Sequence, residues 1–310
     1  MTGRSDIADR LESTKFVRRV LGLGELESDI FPVSLSAFLS QSKETNLLPE
    51  LERFARALAN RCDVLLLETG GSPSDGSLVS LDVPTVVKTL GAQTLIISRF
   101  TGEGIIDAIL ATRQVIDHGV VGAVVTSVPV SQRETMQQVL RPALERRGVR
   151  VLGIFPSDSL LGAVTVGELA KELGGTFIVG HDLQDELVER LMIGAMNPEH
   201  AVSYFQRQAN KAVITGGDRP DIQLAALETS TRCLILTGQF PPVSEVVERA
   251  TIQHVAVISV PLDSLTAVER AQAVFEYSRY QQDRKVARFG ELFNVHFDYA
   301  ALLRVLALRT

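Results

Sequence analysis

Two apolar patterns alternate along the first half of the chain. Short runs rich in Val, Ile and Leu, at Val64–Leu67, Thr94–Ser98, Gly122–Ser127 and Val151–Phe155, predict buried parallel strands. Around them, apolar residues recur at helical spacing over Leu48–Leu58, Val83–Leu90, Gly104–Ile116 and Ser131–Arg146. The "TGEG" of Thr101–Gly104 opens one of these helices and Gly148 closes another. Strands alternating with helices at this spacing predict an α/β domain on a doubly wound parallel sheet.

The stretch Phe155–Phe177 reads as a joint. Within it Thr165 is placed to cap a short helix, Val166–Leu173, that stops at Gly174-Gly175. A long helical stretch is expected from Leu183 to Gln208, broken near Asn197-Pro198. The alternation then resumes with strands at Ala212–Thr215, Leu234–Thr237 and Ala256–Val260. The expected division is residues 1–160 and 161–310, the second domain carrying a C-terminal helix. "ITGGDRPDIQLAALET" and "ILTGQFPPVSEVVERA" both read strand, Thr-Gly, turn, proline, helix. Gly216 and Gly238 keep the same spacing as Pro220 and Pro242. Two copies of one strand–turn–helix unit are too few for a solenoid.

Composition narrows the function classes. The chain has 310 residues, 45% hydrophobic and 22% charged, with net charge -6. An acidic balance argues against a nucleic-acid footprint, which needs a basic face. No apolar run approaches membrane-span length, and the opening "MTGRSDIADRLESTKF" has no apolar core of a secretory signal. Cys62 and Cys233 lie far apart, each next to a predicted strand, and read as two reduced, buried thiols. A cytoplasmic protein is expected. The five histidines include no pair at metal-ligand spacing.

The most informative stretch is "KAVITGGDRPDIQLAALETSTRCLILTG", Lys211–Gly238. Gly216-Gly217 allows a positive φ and a close backbone approach after a strand. Pro220 suits the first turn of a helix, and Asp221 suits its dipole. Ile222, Leu224, Ala225 and Leu227 supply a buried face. Helix and turn grammar thus account for every residue except Asp218-Arg219. At the carboxyl end of a strand in an open α/β sheet, exposed N–H groups and an arginine suit a phosphate or carboxylate. Gly216, Gly217, Asp218 and Arg219 are therefore the candidate ligand-binding residues. The alternative is an Asp-Arg surface pair on an ordinary turn. "RYQQDRKVARF" (Arg279–Phe289) reads as a solvated basic helix face, available to an acidic partner or subunit.

"VGELAKELGG", "LVERLMIGAMNPEHAVSYF", the Lys211–Gly238 stretch and "DSLTAVE" resemble the DRTGG domain. "DVLLLETGGSPSDGSLVSLDVPTVVKTLGAQTLIISRFTGEG" resembles the dethiobiotin-synthetase-like (BioD-like) module. The pair resembles the N-terminal region of long bacterial phosphate acetyltransferases. The resemblance implies a P-loop-type parallel sheet followed by a smaller α/β DRTGG domain. It also implies a non-catalytic regulatory, ligand-binding or assembly role.

Members of the BioD-like family open on G-x-x-x-x-G-K-[ST], yet these 310 residues contain no Gly-Lys dipeptide. "GRSD" at Gly3–Asp6 resembles the family's segment after its second strand. The expectation is a degenerate fold lacking the phosphate-binding loop. Glu68, Gly70 and Gly71 resemble the family's Glu-Gly-rich loop near metal and phosphates. Thr126 stands where a base-binding segment often has Asn. Together Glu68, Gly70, Gly71 and Thr126 form the expected nucleotide-site remnant, with no catalytic and no metal residues. The alternative is an ATP-dependent enzyme whose phosphate loop lies upstream of Met1. Expected ligands are a nucleotide or another anion. Expected partners are a second copy of the chain, at an edge left open beside Val64–Leu67, or an enzyme of acetyl- or acyl-phosphate metabolism, with no nucleic acid and no membrane.

Overall fold

The computed structural model describes Phe16, Arg19, Val20, Gly22 and residues 46–69, 71–276 and 282–307. The chain divides into two compact units. One comprises Met1–Ser157 with Glu291–Thr310, the other Asp158–Gly290. The C-terminal stretch, read from sequence with the second domain, therefore belongs to the first unit.

The described elements of the first unit include α1 (Leu48–Ala59) and α2 (Val83–Leu90). Asp82 caps α2 by accepting from the Thr85 N–H. Then come β1 (Thr94–Arg99), α3 (Ile105–Ile116), β2 (Val120–Val128), α4 (Arg133–Glu145) and β3 (Val151–Pro156). The three strands pair in parallel in the order β1-β2-β3. A sequential order with right-handed crossovers sends successive helices to one face. Accordingly, Ile105, Ile109 and Ile116 of α3 share one apolar cluster with Met136, Leu140 and Leu144 of α4. Among the described strands the winding runs in one direction. The chain's end covers the other face. There α10 (Asp283–His296) packs Phe293 on Phe155, and α11 (Tyr299–Val305) buries Ala301 and Leu303.

Val64–Leu67, predicted as a buried strand, forms no strand, and Leu66 is 84% exposed. An apolar run becomes a strand only where a neighbour completes its hydrogen-bond ladder, and none of the described strands does so. Cys62, expected buried beside that strand, is exposed and follows α1, its Sγ lying 3.3 Å from the Leu58 carbonyl.

The second unit holds β4 (Val164–Thr165), α5 (Val166–Leu173), β5 (Thr176–Val179), β6 (Leu187–Val188), β7 (Arg190–Ile193) and α6 (Pro198–Phe205). It continues with β8 (Lys211–Gly216), α7 (Pro220–Leu227), β9 (Thr231–Thr237), α8 (Ser244–Ile252), β10 (Ala256–Ser259) and α9 (Ser264–Glu276). The main sheet runs β5-β10-β9-β8-β7, with β7 to β10 mutually parallel and β5 antiparallel at one edge. β4 and β6 form a separate antiparallel pair.

The helix expected from Leu183 is thus two strands and a loop before α6. "LVERLMIG" has a helix-compatible period, but parallel pairing of β7 with β8 supplies the bonds that decide between the two. α6, α7 and α8 bury Phe205, Ile222 and Val246 against one face. α5 and α9 bury Leu169 and Ala267 against the other. No helix among the described residues is long and apolar enough to cross a membrane.

The cap expected at Thr165 is a full capping box. Thr165 Oγ1 accepts from the Glu168 N–H at 3.0 Å, and Glu168 Oε2 accepts from the Thr165 N–H at 2.8 Å. Gly174 closes α5 in the left-handed region, at φ 61°. Thr165→Ala is expected to destabilise the chain by about 1 kcal/mol in urea titrations, while a change below about 0.3 kcal/mol would show the cap to be dispensable.

The basic face at Arg279–Phe289 is not simply solvated. Residues 279–281 lie outside the described residues. Lys285 is buried and donates to the Ala163 carbonyl, and Arg288 Nε reaches Asp158 Oδ2 at 2.8 Å.

Candidate functional site

β8 is buried from Lys211 to Thr215 and runs between β7 and β9. Its ladder continues one residue past the strand, where the Gly217 N–H donates to the Thr237 carbonyl at 2.9 Å. The Arg219 N–H then donates to the Gly216 carbonyl at 3.1 Å and closes the turn. α7 starts at Pro220, whose missing N–H costs nothing there. The sister unit differs: Pro242 lies outside α8, which begins at Ser244.

Neither Gly216 nor Gly217 has a positive φ, one of the two properties expected of them; the other, a close backbone approach, is met at Gly217. A Cβ on Gly216 would stand 2.3 Å from Asp218 Oδ1, and one on Gly217 would stand 2.3 Å from the Phe240 carbonyl oxygen. Gly217 lets the β8 turn pack against the loop that follows β9.

Arg219 is held in place. Its Nε and Nη2 donate to the two Asp221 carboxylate oxygens at 3.1 Å each, and Nη2 also donates to the Met196 carbonyl at 3.1 Å. Met196 follows β7, so the parallel β7–β8 pair brings the two loops to one sheet edge. The hydrogen bond to Arg219 holds the Asp221 carboxyl below its usual range. The same bond raises Arg219 above its own. Asp218 is exposed and makes no direct hydrogen bond to Arg219. The three charges sum to one negative, so an anion binding here has Asp221 as a competitor. Arg219 Nη1 has no hydrogen-bond partner among the described residues, and neither has the Asp218 N–H.

Sequence reasoning missed Gln223. This residue of α7 is fully buried, and its Nε2 donates to the carbonyls of Gly216 at 2.8 Å and Gly217 at 3.1 Å. Its Oε1 is buried with no partner. The available signal was a single polar residue inside the apolar run "IQLAAL". Also missed were the Met196 carbonyl, brought in by tertiary pairing, and the Phe240 backbone.

Strand order refines the location. The connections leaving β7, β8 and β9 all turn to the face of α6 to α8, whereas α9, after β10, lies on the opposite face. The ligand crevice of an open α/β sheet opens where adjacent connections diverge, here between β9 and β10. At that point Thr237 Oγ1 and Ser264 Oγ are 2.8 Å apart, and the Gly238 N–H donates to the Leu262 carbonyl at 3.2 Å. The Asp218-Arg219 turn borders this divergence through Gly217 and Phe240.

In the first unit, Glu68 is exposed and makes no hydrogen bond or ion pair among the described residues. Gly70 lies outside the described residues. Gly71, at φ 58°, begins a turn closed by Asp75, which accepts from the Ser72 N–H at 3.0 Å. Thr126 is half-buried near the end of β2, its carbonyl accepting from the Phe100 N–H at 2.9 Å. Thr101–Gly104 opens α3 with no side-chain cap. Among the described residues no group of three or more His, Cys, Asp and Glu could hold a metal ion.

Two successive α/β units, the first with three parallel strands among its described residues, define the class of protein: a P-loop-like α/β module followed by a second α/β module. The chain belongs to the AAA domain family, which it matches over residues 5–165, and residues 168–274 match the DRTGG domain. It is similar to phosphate acetyltransferase of Nitratidesulfovibrio vulgaris, with 23% identity over 96% of this chain and 45% of that protein. Phosphate acetyltransferase of Synechocystis is 27% identical over 60% of this chain and 29% of the relative. The chain thus spans less than half the length of each of these relatives. Among solved structures, the CBS and DRTGG domains of the regulatory region of Clostridium perfringens pyrophosphatase, complexed with diadenosine tetraphosphate, match 46% of this chain. That match covers 70% of the other chain, at 18% identity and a TM-score of 0.32.

Proposed function

We propose that this chain is a non-catalytic regulatory or assembly module of the kind that accompanies phosphate acetyltransferases, and that it senses a small acceptor-bearing ligand at the β8–α7 turn. The supporting observation is the state of Arg219. Asp221 and the Met196 carbonyl fix its guanidinium while leaving Nη1 unused. A planar fork held in advance loses little conformational freedom on binding, which favours a phosphoryl or carboxylate group. The absence of G-x-x-x-x-G-K-[ST] from these residues weighs against triphosphate chemistry on the first unit. In this reading the module works as a homo-oligomer, or on an enzyme that makes or consumes an acyl phosphate.

A thermal-shift screen of AMP, ADP, ATP, dinucleotides, acetyl phosphate and coenzyme A, on wild type and Arg219→Ala, tests it. At a hundredfold excess over the dissociation constant, a true ligand stabilises the wild type by about 2.7 kcal/mol. Arg219→Ala is expected to lose that shift while its unliganded stability moves by no more than ~0.5 kcal/mol, the range for surface substitutions. No shift for any compound, or a shift that survives in the variant, removes Arg219 as the anchor.

A further inference from the structure

We infer that the peptide joining Gly217 to Asp218 is a two-position switch, read from below by the buried amide of Gln223. In the structure the Gly217 carbonyl points inward and accepts from Gln223 Nε2 at 3.1 Å. A trans peptide directs its N–H opposite to its C=O, so the Asp218 N–H points away from Gln223. It has no acceptor among the described residues. The turn therefore displays a donor on its outer side. The arrangement leaves Gln223 Oε1 buried without a hydrogen bond, a costly condition for a carbonyl oxygen.

Rotating the 217–218 peptide by about half a turn satisfies that atom. The Asp218 N–H swings inward to donate to Gln223 Oε1, and the Gly217 carbonyl swings outward. Gln223 Nε2 keeps its stronger bond, 2.8 Å to the Gly216 carbonyl. The Gly217 N–H, on the other side of its Cα, keeps the Thr237 carbonyl at 2.9 Å. The rotation changes ψ at Gly217, where no Cβ resists it, and φ at Asp218, a residue type that tolerates the left-handed region. Gln223 serves both positions because its amide donates with one atom and accepts with the other.

The two positions present opposite chemistry at the carboxyl end of β8. The observed one offers an N–H to a phosphoryl, carboxylate or carbonyl oxygen. The rotated one offers a carbonyl to an ammonium, hydroxyl or guanidinium. A ligand of either kind shifts the population toward the position it prefers. The switch is a property of the free chain and goes beyond the ligand reading above, which can fail without affecting it.

Amide hydrogen exchange at Asp218, followed by NMR on the full chain, tests the switch. An N–H fixed outward exchanges at the rate of an unstructured peptide. A switching N–H is protected by the share of time it spends on Gln223, and about threefold protection or more is expected in the wild type. Gln223→Met removes the inner acceptor, so protection falls to none. Gln223→Glu offers acceptors and, when ionised, no donor for the Gly217 carbonyl, so protection rises to about tenfold or more. An unprotected Asp218 amide in the wild type overturns the switch. So does wild-type protection that Gln223→Met leaves unchanged. If neither variant folds, the wild-type protection decides alone.

Discussion

Lys211→Met is expected to abolish a stability gain of about 3 kcal/mol that Lys211 gives the wild-type chain between about pH 8 and pH 10.5. Lys211 is fully buried at the start of β8. Its Nζ donates to Thr229 Oγ1 at 2.8 Å and to the Ser230 carbonyl at 2.9 Å, both neutral. Burial without a carboxylate pushes its pKa down from 10.5 to about 8. Between those values the unfolded chain holds a proton that the folded chain has released, so stability rises with pH. The contribution is fully present above 10.5 and is lost as pH falls through 8.

Cys233 acts in the opposite sense. Complete burial raises its thiol pKa far above the ordinary 9.0, so its contribution is present below pH 9 and falls away above it. The wild type should therefore gain stability from pH 8 to 9, level off to about 10.5, and then decline. Lys211→Met should be flat to pH 9 and decline directly. At pH 7 the variant should be the more stable by ~1–2 kcal/mol, because an apolar side chain replaces an unpaired buried charge. Urea titrations of both proteins at several pH values check this. A wild-type-minus-variant difference that does not change with pH would show that Lys211 is not depressed.

Gly217→Ala is expected to destabilise the chain by about 1–3 kcal/mol, the usual range for forcing atoms into a packed region. The new methyl would meet the Phe240 carbonyl oxygen at 2.3 Å and its Cβ at 3.0 Å, so the β8 turn or the β9 loop must move. Gly290→Ala is the control. Gly290 lies inside α10 with nothing within 4 Å of an added Cβ. Alanine there should stabilise by up to about 1 kcal/mol through helix propensity. Thermal unfolding of the two variants checks both signs, and equal effects would refute the packing account of Gly217.

Much of the fold was legible because local pattern and tertiary environment agree. The helices over Val83–Leu90 and Val166–Leu173, and the strands following Thr94, Val151 and Lys211, each carry their own period, cap or glycine stop. Where they disagree, the sequence misled. Val64–Leu67 has strand composition but no pairing among the described strands, and β7 hides inside a helix-like period. The Gly216-Gly217-Asp218-Arg219 turn was visible as a departure from helix grammar. Its wiring was not, since Met196 and Phe240 approach it from other loops.

The sequence alone determined the alternation of strands and helices, the two modules, the Thr165 cap and the position of the candidate turn. These depend on side-chain period and on residues that fix their own backbone, which act within a few positions along the chain. Only the tertiary structure decided that Arg219 is committed to Asp221 and that Gly217 is there for space. It likewise decided that Gln223 is buried under the turn and that Lys211 has lost its solvent. Those properties arise where separate strands bring distant residues together, and hydrogen bonding and desolvation depend on distances that spacing in sequence does not set.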